Sequence, residues 1–409
     1  MSNGVVDPDD VARVILALYS RLAFNPPPRQ FTILAAFALC EEGTSTIKVI
    51  SLGTGSKCLP AIRLCKEGDA LHDSHAEVIA RRGAMRWLME EVDRACRVHS
   101  AGTNAILSPW LQRLSDGKYA LRDGVKLILY VSTVPCGDAS TRFLASFQDP
   151  EMAALKDSSQ FPTVAPGVAS RGRDNYSLFG VLRTKPGRAD SPPTLSMSCS
   201  DKIASWNILG IQGALGSKFL YPVYVSDVVI GEVAPDVRET VREDCERAFW
   251  GRLERIENLP SVYRLNRPTV CFTSLPFEHS RVSLQTKGAL TSCNESLCWT
   301  ADSTKPQEIL INGIKRGISP KNQHNPKFRP LLSKLAFFNL YLSLLSEHAE
   351  CDKSDENVSR KASTTYYETK QAMSEYQVCK TALLGPEGLF RGWVKTGPQW
   401  ERFDQDGRV

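Results

Sequence analysis

With 409 residues, the chain can hold one large domain or two or three small ones. Its 42% hydrophobic content supports a packed core and excludes wholesale disorder. A formal charge of +5, from 50 basic against 45 acidic residues, permits an anionic partner without demanding one. The 12 cysteines are irregularly spaced and contain no CxxC pair, which predicts reduced thiols in an intracellular protein, cytosolic or nuclear. Met1 to Asp10 is too acidic and polar for a signal peptide. No stretch approaches the roughly 20 apolar residues of a membrane span, so no membrane partner is expected.

Apolar positions at helical spacing predict a helix over 9–24, ended by Pro26-Pro27-Pro28. Residues 31–39 and 46–55 read as two strands, with Glu41 to Ser45 as the turn between them. A long helix is expected from Ser74 to about Val98, then an apolar strand over 125–134 and a helix from Gly137 to about Phe147. Residues 148–175 lack a sustained period and read as a surface insertion. After a turn through Pro186–Pro193, residues 198–217 read as a helix and 219–231 as a strand. Further helices are expected over 237–256, 328–345 and about 365–384, with an acidic, polar and mobile stretch at 347–362. The alternation predicts a three-layer α/β core with a helical second half, folded as one compact unit over 1–409.

The chemistry concentrates in two segments. His72-Asp73-Ser74-His75-Ala76-Glu77 has a His-x-Glu, and Val134-Pro135-Cys136-Gly137 has a Pro-Cys after a buried strand. Zinc-dependent nucleobase deaminases build their metal site from this pairing. His75 and Cys136 would hold Zn²⁺, and Glu77 would carry protons without touching the metal. A catalytic zinc needs a third protein ligand and an open position for water. The common signature places that ligand three residues after the first cysteine, where this chain has Ala139. Cys199 precedes a helix as Cys136 does, and is the candidate that repairs the pattern. The other ten cysteines read as buried and inert.

The strings SLGTGSKC (51–58), HDSHAEVIARR (72–82), VPCGDAS (134–140), LRTKPGRAD (182–190), MSCSDKIASWNILGIQGAL (197–215) and KFRPLLSKLAF (327–337) resemble the tRNA-specific adenosine deaminase 1 family. That family shares its deaminase domain with the adenosine deaminases that act on double-stranded RNA. The resemblance implies a cytidine-deaminase-like α/β/α core. It carries zinc ligation onto His75, Cys136 and Cys199, and the proton shuttle onto Glu77. It also implies the reaction: hydrolysis of adenosine to inosine immediately 3′ of the anticodon in alanine transfer RNA. Such a base already lies in a loop, so extruding it costs less than breaking a duplex pair. The protein is expected to act as a monomer on RNA rather than DNA.

Three departures set the chain apart from the duplex editors. It has no room for separate duplex-binding domains, its 186–193 turn is short, and Ser140 stands where they carry a pocket arginine. The alternatives are an editor of other structured RNA and a non-catalytic, zinc-containing RNA-binding subunit. An intact Glu77 speaks against the second.

Several basic residues sit among apolar ones, as Lys334 does in PLLSKLAFF. Tyr366, Lys370, Tyr376 and Lys380 fall within roughly a 120° arc at about 100° per residue. By themselves these read as a solvated basic face. The resemblance implies instead a buried inositol hexakisphosphate held by Arg82, Lys202, Lys334, Tyr366, Lys370, Tyr376, Lys380 and Trp393, with Arg81 and Ser196 as further contacts. Asp73, Lys185 and Lys202 would relay hydrogen bonds from that ligand to Cys199, and Ser205 replaces an arginine of the duplex editors. Lys57 lacks the full P-loop pattern and is expected to touch an RNA phosphate, with Ser56 beside the target base. Lys118, Arg122 and Lys126 are candidates to extend that surface.

Overall fold

A computed structural model describes residues 6–100, 108–145, 168–172, 178–185, 192–285, 290–351 and 364–409. Helix α1 (Pro8–Arg21) opens on Asp7, whose side chain accepts the Asp9 N–H as an N-cap. It ends three residues earlier than the periodicity suggests. The hairpin of β1 (Leu34–Glu41) and β2 (Ile47–Thr54) lies where the sequence places it. Two short strands follow, β3 (Ser56–Cys58) and β4 (Asp73–His75), and then the long helix α2 (Ala76–Ser100). Strand β5 (Val125–Val131) precedes a 3-10 turn at Asp138–Ser140 and a short helix at Thr141–Ala145. The second half adds α3 (Cys199–Leu209), β6 (Asp227–Ile230), α4 (Arg238–Phe249), β7 (Thr269–Phe272), β8 (Glu295–Thr300), β9 (Gln307–Ile311) and β10 (Ile314–Lys315). Helices α5 (Lys334–Cys351), α6 (Tyr366–Gln371) and α7 (Ser374–Leu384) complete it.

The central sheet is mixed and eight-stranded, in the order β7-β6-β5-β1-β2-β8-β9-β10. Strands β5, β6 and β7 run parallel, and every other neighbouring pair is antiparallel. Strand β1 is apolar nearly throughout because both of its faces are covered. Leu34, Ala36 and Cys40 face the α1 side with Ile128 and Tyr130 of β5. Ala35, Phe37 and Leu39 face the opposite side with Leu127, Leu129 and Val131, against α2, α4 and α5. Helix α3 is buried around almost its whole circumference, with Ile203 and Trp206 in the sheet-side core and Ala204 and Ile208 in a third cluster with α7. Among the described residues, no helix is long and apolar enough to cross a membrane.

Several boundaries differ from expectation for identifiable reasons. The helix expected over 198–217 stops at Gly210, whose φ of 71° is left-handed, and resumes only as a single turn at Gly213–Gly216. The one expected over 365–384 is two helices, separated at Ala372 and Met373. The strand expected over 219–231 forms only at its end, after Pro222. The helix expected over 237–256 gives way to a 3-10 turn at Gly251–Leu253. That expected over 328–345 begins after Pro330 and runs on to Cys351, so the start of the supposedly mobile 347–362 stretch is helical. The remainder of that stretch lies outside the described residues. So do most of 148–175 and residues 186–191 of the expected turn. The described part of the supposed insertion holds a short strand, Ser170–Arg171, paired with Arg183–Thr184.

Helix α2 lies close on β2 because Gly53 has no side chain. A Cβ there would stand 2.6 Å from Ile79 Cγ2 and 2.9 Å from the Ala76 carbonyl oxygen. Gly53→Ala is therefore expected to push the start of α2 away from the sheet and destabilise the protein by about 1–3 kcal/mol. Urea denaturation checks this, and an unchanged midpoint would refute the packing argument.

Candidate active site

The site grows from the seam between β2 and α2. Strand β3 pairs antiparallel with β4, so Ser56 lies opposite His75, Lys57 opposite Ser74, and Cys58 opposite Asp73. Two motifs about twenty residues apart thereby become neighbours. His75 is the last residue of β4 rather than the first of a helix, and Glu77 follows in the first turn of α2. Asp73 Oδ1 accepts from the His75 N–H at 3.0 Å and from the ring Nδ1 at 2.8 Å. The ring proton is thus held on Nδ1, which leaves Nε2 bare as a ligand atom.

Cys136 arrives on the loop after β5, and Gly137 behind it has a φ of 113°. A Cβ on Gly137 would strike the Ser198 hydroxyl, so glycine lets this loop meet the start of α3. There the Ser198 side chain caps the helix by accepting the Asp201 N–H at 3.1 Å. Cys199 is the first residue of α3, and its N–H donates to Cys136 Sγ at 3.4 Å. Ser200 N–H donates to the Cys136 carbonyl at 3.0 Å.

The two buried sulfurs are shifted in opposite directions. A hydrogen bond from Cys199 holds the Cys136 thiol well below its ordinary value; burial opposes this, and Lys185 and His75 reinforce it. Burial, and then the Cys136 charge, push Cys199 well up. Burial pushes Glu77 up as well, followed by the charge of Cys136. Burial lowers the pKa of His75, but Asp73 and Cys136 outweigh it and hold the ring above its usual range. Glu77 is 2% exposed, and its buried Oε2 has no hydrogen-bond partner. The structure therefore brings together an imidazole, two sulfurs and a free carboxylate oxygen. The donor set suits zinc, although the three ligand atoms are not all within 4.8 Å of one another, as those of Cys65, Glu67 and Asp69 are elsewhere.

Behind the site, Asp73 Oδ2 accepts from Lys185 Nζ at 2.9 Å, from Ser196 Oγ at 2.5 Å and from Lys202 Nζ. Lys185 Nζ also donates to Cys199 Sγ at 3.1 Å, and Lys202 Nζ to Ser196 Oγ at 2.7 Å. Burial works against the Lys185 charge, but Asp73, Cys199 and Cys136 hold its pKa well above the ordinary value. Lys202, Ser196 and Asp73 form one wall of a cavity of about 590 Å³. Seven cations line it (Arg81, Arg82, Lys202, Lys334, Lys370, Lys380 and Lys395) against the carboxylates of Asp73 and Glu401. Burial, and then Lys370, pull Lys380 down to about 8. Burial also pulls Lys334 to about 8 despite Glu401, and Arg81 to about 10. Arg81 Nε is buried without a partner. Glu401 accepts from Lys370 Nζ at 2.7 and 2.8 Å; burial opposes its charge, yet Lys370 and Lys334 bring it to about 2.

Tyr376 and Trp393 line this cavity, as does Ser205, whose hydroxyl donates to the Lys202 carbonyl. Tyr366 is not in the lining: its ring is stacked on Phe403 at 5.1 Å, with Lys370 over it. Ser140 is buried beside Cys136, but its hydroxyl donates to the Gly137 carbonyl at 3.1 Å. Ser56 shares a hydrogen bond with Ser292, while exposed Lys57 lines a separate cleft of about 510 Å³ with Arg63, Asn294 and Asn312.

Sequence reasoning missed Glu401 and Lys395, which lie in a Pro/Gly-rich segment with no motif. It also missed the buried ion pairs that brace the two cysteine loops. Arg252 Nη2 donates to Asp201 Oδ1 at 2.6 Å, and Arg247 Nε to Asp138 Oδ2 at 3.2 Å. Charged residues inside the predicted helices were the available signal.

Residues 51–396 match the adenosine-deaminase (editase) domain. The chain is 28% identical to tRNA-specific adenosine deaminase 1 of Mus musculus, over 97% of this chain and 99% of that protein. Its identity to the Schizosaccharomyces pombe protein of the same name is 30%, over 95% and 94%. It is also 30% identical to the double-stranded RNA-specific editase Adar of Drosophila melanogaster, over 86% of this chain but 48% of that protein. The chain belongs to the adenosine-deaminase (editase) domain family and is an enzyme that deaminates adenosine.

Proposed function

We propose that this chain is a zinc-dependent hydrolase that converts adenosine to inosine in transfer RNA, at the adenosine immediately 3′ of the anticodon of alanine transfer RNA. The observation that carries the reading is the buried, unpartnered Glu77 carboxylate beside His75, Cys136 and Cys199. Similarity along almost the whole of the tRNA-specific relatives, against 48% of the Drosophila editase, supports the choice of RNA. We take the chain as a single deaminase unit with a cytidine-deaminase-like core.

His75 Nε2, Cys136 Sγ and Cys199 Sγ would hold the zinc. When bound, zinc supplies a water acidic enough to attack at neutral pH. Asp73 fixes the imidazole, and Lys185 holds the Cys199 sulfur in place. The Glu77 carboxylate takes the proton of the attacking water and delivers it to the purine ring nitrogen. It then takes the remaining proton of the hydroxyl added to the ring carbon and gives it to the amine, so that the carbonyl forms, the C–N bond breaks and ammonia leaves. Burial, and then the Cys136 charge, raise its proton affinity above that of an ordinary carboxylate. Ser56, opposite His75, and exposed Lys57 border the approach and are assigned to the target nucleotide and a flanking phosphate.

The cavity behind Asp73 fits a polyanion. Its cations outnumber its carboxylates, and a buried cation cluster without counter-charge is untenable. Inositol hexakisphosphate bound there would act as part of the core, held by Arg81, Arg82, Lys202, Lys334, Lys370 and Lys380. Tyr376, Trp393 and Ser196 would add contacts, and Tyr366 would support Lys370 from behind.

Glu77→Ala should lower inosine formation on alanine transfer RNA by at least about 10²-fold while RNA affinity survives. Persistent turnover in that variant would overturn the mechanism, and faster turnover on duplex RNA than on transfer RNA would move the substrate. Denatured protein should release about one inositol hexakisphosphate per chain. Lys334 and Lys380 lie near 8 with Glu401 as the nearby carboxylate, and a polyanion would keep them protonated, so binding takes up protons above that pH. The inositol hexakisphosphate concentration needed for half-maximal refolding should therefore rise as pH is raised above about 8. A flat profile would return these lysines to solvent.

A further inference from the structure

A second cluster of ligand-type side chains lies outside this site, on the loop that leads into β4. Cys65, Glu67 and Asp69 alternate along the chain, and their ligand atoms all lie within 4.8 Å of one another. The loop is firmly held. Leu335 N–H donates to the Gly68 carbonyl at 2.9 Å, and the Phe403 ring lies against Gly68, whose φ of 70° is left-handed.

Asp69 is 3% exposed. Its Oδ2 pairs with His324 Nδ1 at 2.7 Å, while its buried Oδ1 has no hydrogen-bond partner. Burial, and then the Asp69 charge, push the Cys65 thiol up to about 12. Arg329 feels the Asp69 charge, but its Nε makes no hydrogen bond. Two carboxylates and a sulfur thus converge on one point, where the Cys65 thiol is the neighbour of the buried Asp69 Oδ1.

We propose that Cys65 Sγ, a Glu67 carboxylate oxygen and Asp69 Oδ1 form a second metal site for a divalent cation of the zinc class. The sulfur selects against magnesium and calcium, which prefer oxygen alone. On binding, the Cys65 thiol gives its proton to solvent and its sulfur bonds the metal. His324 holds the second Asp69 oxygen and so orients the first, and water fills the remaining position. The ion would fix the segment that supplies Leu71 and His72 to the basic cavity and runs directly into Asp73 and His75. The site is independent of the deaminase reading.

Zinc content of the full chain, measured by mass spectrometry after incubation with micromolar zinc and dialysis, tests the proposal. The native protein should hold two equivalents and Cys65→Ser one, while a His75→Ala variant keeps the equivalent at Cys65. With cobalt in the His75→Ala background, a thiolate charge-transfer band should appear and vanish on adding Cys65→Ser. If Cys65→Ser fails to fold, Glu67→Gln and His324→Ala serve instead, since Glu67 is half-buried and His324 exposed. His324→Ala should weaken metal affinity at this site by about 10- to 100-fold. Equal metal content in native and Cys65-site variants, or no thiolate band at Cys65 in the His75→Ala background, would overturn the proposal.

Discussion

One carboxylate ties the molecule together. Asp73 is buried, yet it stays ionised: burial disfavours its charge, but Lys185, Lys202 and His75 outweigh that cost. One of its oxygens orients the His75 ring, and the other receives Lys185, Lys202 and Ser196. Lys185 continues to Cys199, so the imidazole and the sulfur of one candidate centre are held from a single anion. Removing one partner of such a buried charge pair typically costs about 3–5 kcal/mol, because the remaining charge is left uncompensated. The network therefore couples the stability of the core to the geometry of the site.

The same anion is where the site meets the basic cavity. Lys202 and Ser196 belong both to the Asp73 cluster and to the cavity wall. Across the cavity, Glu401 is shared between Lys370 and Lys334, and among the described residues Arg81, Arg82, Lys380 and Lys395 form no ion pair with a carboxylate of the lining. The C-terminal helices meet the catalytic half through apolar packing, α5 in the sheet-side core and α7 against α3, and also across this charged cavity.

The parts of the fold most legible in the sequence were those with strong local signals. Strand β1 and its hairpin partner are apolar runs around a polar turn, and α2 shows a helical period behind an acidic first turn. Helix breaks without punctuation were not legible: nothing at Ala372 or Met373 interrupts the pattern that runs through α6 and α7. Gly210 was a readable breaker, but the apolar residues on both sides of it masked the stop. Strands β8, β9 and β10 are short and owe their existence to pairing with one another and with β2. The ligand-type residues His75, Glu77, Cys136 and Cys199 were identifiable by their spacing and setting. Arg247 and Arg252, which brace the cysteine loops, and Glu401 in the basic cavity act across long sequence separations, which no local pattern encodes.

The central claim is that three side chains from β4, the loop after β5 and the first turn of α3 share one metal ion beside Glu77. Anomalous diffraction at the zinc edge from crystals of the full chain tests it most directly. The account predicts a peak about 2.0–2.1 Å from His75 Nε2 and about 2.3 Å from the sulfurs of Cys136 and Cys199. A Glu77 oxygen should lie within hydrogen-bond reach of a water on that ion. Crystals of active protein with no peak at this position, or with Cys199 turned away from it, would contradict the account.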